Sequence, residues 1–164
     1  MRKLGFAAIA TLAFTAQQAF CAGFMTAQEF VTRASAAGMA EVELSKLALE
    51  KSSAPDIMGF AQKMIADHGR IGQELAALAK PKGLVLAQTP NEAQRTALAE
   101  LRKKSGPTFD AAYAQQAQKD HDEAVSLFSA AGTLEDTALA AFARQTLPKL
   151  TEHQQAAANL GKVR

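Results

Sequence analysis

Three histidines, His68, His121 and His153, are the only ones in this chain of 164 residues, and each follows an acid: Asp67, Asp120 and Glu152. Imidazole is the side chain best suited to bind a transition metal or to move a proton near neutral pH. Each histidine falls on a different stretch of helical periodicity, on the apolar stripe of that stretch. Glu41 takes the same kind of position on a fourth. Four ionisable side chains turned toward one core are costly unless they pair or bind something. Three imidazoles and one carboxylate suit Zn²⁺, Cu²⁺ or Fe²⁺, so Glu41, His68, His121 and His153 are the expected ligands of one ion. Asp67, Asp120 and Glu152 each stand about 100° round the helix from the histidine they precede. From there they cannot easily bind the same ion, but they can accept a hydrogen bond from a histidine on a neighbouring helix. Tyr113, the only tyrosine, lies two turns before His121 on nearly the same face. It is read first as a core ring with a satisfied hydroxyl, and second as a donor to Glu41 or His68 or a proton or radical relay. The alternative for the whole constellation is a buried polar network without metal.

Four long helices must position these groups. The first runs from about Thr26 to Lys51, with Phe30, Ala34, Ala37, Glu41, Leu44 and Ala48 on one face. Ser53 is the expected N-cap of the second, from about Ala54 to Lys80, whose stripe is Ile57, Ala61, Met64, His68, Ile71, Leu75 and Leu78. Thr89 and Glu92 are expected to cap a shorter helix reaching about Lys104. Ser105-Gly106-Pro107 opens the third long helix, to about Ala130, with Phe109, Tyr113, Ala117, His121, Ala124 and Phe128 inward. Asp136 caps the fourth, from Thr137 to about Leu160, where Leu139, Ala143, Thr146, Leu150, His153, Ala157 and Leu160 form the stripe. Pro148 inside it predicts a kink. Asp110, near the start of the third long helix, is a favourable charge for its dipole. Met39, Met58 and Met64 sit at scattered core-like positions and read as gap fillers. The predicted class is all-α: a ferritin-like or up-down four-helix bundle with a long, part-helical connection between its second and third long helices.

The start of the chain carries Arg2 and Lys3, an uncharged apolar run from Leu4 to Ala16, and the small residues Ala19 and Cys21 around Phe20. That order predicts a signal peptide over residues 1–23, cleaved after Cys21 or Gly23, and one exported domain over residues 24–164. A lipoprotein anchor on Cys21 is disfavoured, because Phe20 stands where such signals want a small residue. Removing the segment takes away the only cysteine and leaves equal numbers of basic and acidic side chains. No disulfide can then staple the domain, nothing in the charge balance calls for nucleic acid, and no other segment is apolar and long enough to span a bilayer.

The stretch Glu41-Val42-Glu43-Leu44-Ser45-Lys46-Leu47-Ala48 resembles the first-helix signature of a bacterial secreted family designated domain of unknown function 4142. Phe60-Ala61-Gln62-Lys63-Met64 with Asp67-His68 resembles its second-helix motif. Ser105-Gly106 with Phe109-Asp110, Tyr113 and His121 resembles its third, and Leu147-Pro148 with Leu150 and His153 its fourth. The resemblance covers about Phe30 to Leu160. It implies a ferritin-like fold and an outer-membrane or periplasmic setting, and it transfers no mechanism. The two-metal carboxylate site of ferritin-like proteins needs Glu-x-x-His pairs. Here Ile65, Gln118 and Leu150 stand three residues before the histidines, which argues against di-iron chemistry. The leading expectation is a non-enzymatic exported protein holding one metal ion and associated with the envelope. A metal-dependent oxidoreductase and a purely structural or interaction bundle are the alternatives.

Overall fold

The computed structural model describes residues 25–162; the expected signal peptide lies outside them. The described chain is all-helical. Its elements are α1 (Ala27–Lys51), α2 (Pro55–Ala79), a short 3₁₀ turn (Lys80–Lys82), α3 (Glu92–Arg102), α4 (Gly106–Ala131) and α5 (Thr137–Ala157).

Local chemistry sets the helix ends. The Thr26 hydroxyl accepts from the Glu29 N–H and starts α1. The expected Ser53 cap of α2 is corrected: Ser52 accepts from the Ala54 N–H, and α2 starts on Pro55, whose ring presets helical φ. Gly83, at φ 66°, turns the chain out of the 3₁₀ segment. The α3 cap is also shifted, from Thr89 and Glu92 to Asn91 and Gln94, which form a reciprocal capping box. Asp136 caps α5 as expected, accepting from the Ala138 and Leu139 N–H groups. Pro148 lies inside α5, which ends at Ala157 rather than at Leu160.

The long helices contact one another in a ring. α1 packs on α2 and α4, and α5 packs on α4 and α2. Two apolar clusters give their directions. Phe30 and Val31 of α1 share one cluster with Leu75 and Ala79 of α2, Phe128 and Ala131 of α4, and Leu139 and Phe142 of α5. Leu44 and Leu47 share the other with Ile57, Phe60 and Met64, Phe109 and Tyr113, and Ala157. The end of α2 therefore lies with the end of α4, and residues 80–105 travel the length of the molecule between them. That connection is tied down on the way. The Gln28 amide donates to the Val85 carbonyl at 2.8 Å and accepts from its N–H at 3.0 Å, while the Ala87 N–H donates to the Ser35 hydroxyl at 2.9 Å. The first cluster is knit by Phe30, Phe128 and Phe142, with Phe30 edge-on to Phe128 at 5.2 Å, a geometry worth about 0.5–1.5 kcal/mol beyond burial.

Candidate metal centre

Between the two clusters the inward stripes of α2, α4 and α5 each place a histidine. His121 and His153 are fully buried and His68 is 6% exposed. Their ring centroids form a triangle with every side 5.5 Å. One nitrogen from each ring lies within 4.8 Å of the others. Nε2 of His68 and Nε2 of His121 are 3.4 Å apart. In a tetrahedral site the ligand–ligand edge is about 1.6 bond lengths, or about 3.3–3.4 Å for Zn–N bonds of 2.0–2.1 Å. That pair already stands at coordination spacing, and His153 offers a nitrogen within 4.8 Å of both.

The tautomers follow from what faces each ring. Nδ1 of His121 lies 2.8 Å from the Ala117 carbonyl oxygen, which can only accept, so Nδ1 carries the proton and Nε2 keeps its lone pair. Nε2 of His153 lies 2.8 Å from a carboxylate oxygen of Asp67, so Nε2 carries the proton there. The lone pair of His153 is then on Nδ1, a buried atom with no hydrogen-bond partner. Metal-ligating histidines almost always donate their second N–H to a carbonyl or a carboxylate. Two of these three do so, one of each kind.

Electrostatics keeps the rings neutral. Burial pushes His68 down to about 3, helped by the neighbouring His121 and His153. Burial likewise lowers His121 to about 4 against the Ala117 hydrogen bond, and it lowers His153 against the pull of Asp67. Unprotonated imidazoles at neutral pH are what metal binding requires. Burial alone would raise Asp67, but its bonds to Lys63, at 2.9 Å, and to His153 prevail and hold it at about 2. Lys63 also reaches Glu152 at 3.3 Å, so a chain of charge runs from the exposed face of α5 to the His153 ring.

The other expected residues are distributed around this triangle. Glu41 is buried beside His121, but 3.7 Å from Nδ1, the nitrogen turned to Ala117, and outside the three-nitrogen cluster. Neither of its oxygens receives a donor hydrogen bond; its carboxyl meets that of Asp120. Burial, and then the Asp120 charge, raise Glu41 well above the usual carboxylate range. Asp120, raised mainly by burial to about 6, accepts from the Gln116 amide at 2.8 Å. Of the three acids preceding the histidines, Asp67 alone holds a histidine. Asp120 faces Glu41, and Glu152 pairs with Lys63 and Lys149 at the surface. Tyr113 is fully buried with its hydroxyl 3.5 Å from that of Ser45. Sequence reasoning named Ser45, Lys63 and Phe60 only as motif residues and gave them no place at the site; the Phe60 ring stands edge-on to His121 at 6.0 Å. Lys63 was findable, since it precedes Asp67 by one turn. Phe60 and Ser45 lie on a second buried face that a single stripe does not reveal.

The fold and this cluster define an all-helical protein with three buried imidazoles converging from three helices. The chain belongs to the family described as a domain of unknown function (DUF4142), whose model matches residues 11–160. No curated protein and no solved structure matches it.

Proposed function

We propose that this protein is an exported, ferritin-like four-helix-bundle protein that holds one transition-metal ion, Zn²⁺, Cu²⁺ or Fe²⁺, through His68, His121 and His153, without catalysing a reaction. The observation that carries the metal reading is the triangle of neutral rings, two of them with the second N–H already anchored. In this reading Asp67 orients His153 and Glu41 stands behind His121 rather than on the ion. The ring of long helices with its long connection supports the ferritin-like assignment. The order of charge, apolar run and small residues at the start of the chain supports export to the periplasm or the envelope. No helix of the described residues is long and apolar enough to cross a membrane.

His121→Ala tests the site. Loss of bound metal with helix content retained is the expected result; unchanged metal content rules the site out. His68 also lines a cavity of about 580 Å³, and that access favours a second reading, a redox ion reached by a small oxidant. Peroxide or O₂ consumption by metal-loaded protein, absent from His121→Ala, separates it from passive binding. A melting temperature that chelator leaves unchanged points instead to a structural polar network.

A further inference from the structure

The cavity beside His68 lies between α1, α2, α4 and the connection, and Gly38, Gly69 and Gly72 line it. Glycine inside a helix is unfavourable, so each needs a reason. None of the three has a positive φ. None has another atom within 4 Å of where a Cβ would stand, so close helix approach is not the reason either. What they provide is missing volume. Ala34, Ala37 and Ala76 continue the same lining. The hollow falls in the size range of small-molecule sites, which are mostly apolar with a few placed polar groups.

Its polar end is formed by Glu41, Asp120 and His68. Glu41 is 4% exposed, its carboxyl meets that of Asp120, and no nitrogen donor reaches either of its oxygens. The one nitrogen against it, Nδ1 of His121 at 3.7 Å, donates its N–H to the Ala117 carbonyl. Asp120 has the Gln116 amide, with Lys119 acting only from the exposed side of α4. The other charged groups lining the hollow, Arg33, Glu43, Lys46 and Glu123, are exposed side chains. With Glu41 held protonated against Asp120, the pair carries one negative charge and no buried cation faces it, and a charged hydrogen-bond donor would complete it.

We propose that this hollow is a binding site for a small amphipathic amine, its hydrocarbon body against the glycine and alanine wall and its ammonium group on Glu41 and Asp120. The site borders the metal reading at His68 but does not require an ion.

The test is calorimetric titration of the purified protein with n-octylamine, n-octanol and octanoate. Saturable binding of the amine is expected, with the alcohol at least about tenfold weaker and octanoate weaker still. Gly72→Leu, or Gly38→Leu should that variant fold poorly, fills the hollow and abolishes binding. Gly59→Leu, on the exposed face of α2 and also open at its Cβ position, leaves binding unchanged. Glu41→Gln weakens the amine at least about tenfold and leaves the alcohol as it was. Equal binding of amine and alcohol, binding that survives in a folded Gly72→Leu, or no saturable binding at all overturns the proposal.

Discussion

The two sides of the histidine layer are built differently. On the side toward the α1–α2 turn, Met64, Phe60, Tyr113 and Phe109 fill the core with large buried side chains, Tyr113 stacked on Phe109 at 6.1 Å and edge-on to Phe60 at 6.3 Å. On the other side Phe30, Phe128 and Phe142 fill part of the core, but the wall shared by α1 and α2 carries Gly38, Gly69, Gly72 and alanines beside a hollow. His121 is held between an aromatic edge and a backbone carbonyl, whereas His68 borders the hollow. The packed side fixes the rings, and the open side brings the hollow up to His68 alone of the three. A core built only for stability would have been filled on both sides, because helix-interior glycines cost about 1 kcal/mol each relative to alanine.

The contrast predicts opposite responses to substitution. Met64→Ala, in the packed layer one turn before His68 and fully buried, should cost about 2–5 kcal/mol of stability, read by urea unfolding. A cost near zero would mean that this side is no better filled than the other.

Acid should expose the layer between the two sides. In the metal-free protein His68 and His121 sit at about 3 and about 4 against an ordinary 6.5. As pH falls from 6.5 toward 4 the unfolded chain takes up protons that the folded rings refuse, so these groups lower stability over that window. Glu41 and Asp120 act with the opposite sign. Asp120 is at about 6 against an ordinary 3.8, so the folded carboxyl binds its proton first and stability is gained as pH falls through that range. The two trends offset each other in the native chain. Glu41→Gln removes part of the offset, so the variant should lose more stability than the native chain as pH falls from 7 to 5, read by urea unfolding at both. Parallel losses would show that Glu41 does not titrate against the histidines.

Asp67→Asn leaves the His153 ring buried but weakens its anchor. Metal affinity should fall about 10–100-fold, measured by competition with a chromophoric chelator, with little change in helix content. Unaltered affinity would remove Asp67 from the site. The smallest effect belongs to the open side: Gly72→Ala, with nothing within 4 Å of the new methyl, should raise stability by about 1 kcal/mol, opposite in sign to Met64→Ala. A destabilised Gly72→Ala would mean that the wall is tighter than its geometry.

Much of this was legible in the residues, for identifiable reasons. A histidine on the apolar stripe of a long helix is expected in the core, and groups at similar depth can share one layer, so His68, His121 and His153 could be grouped from spacing alone. Glu41 met the same criterion yet stands behind His121. A stripe gives the angle around its own helix but not which neighbouring ring is reached first. The acids beside the histidines were alike in sequence, and only Asp67 found a histidine, because neighbour identity depends on how the helices are arranged in the ring. The caps at Ser53 and Thr89 moved because several residues that can cap a helix stand close together there, Ser52 and Ser53 before α2 and Thr89 and Asn91 before α3, and composition alone does not rank them. The hollow was hidden, since glycines at helical spacing look the same whether they permit close approach or leave a void.

The metal content of the protein, purified without an affinity tag or chelator and then reconstituted with Fe²⁺, Cu²⁺ or Zn²⁺, tests the central claim most directly. Elemental analysis should find close to one equivalent of one of these ions in the native chain and none in His121→Ala. A native chain that holds no stoichiometric metal even after reconstitution would contradict the account and leave the three histidines as a buried polar network.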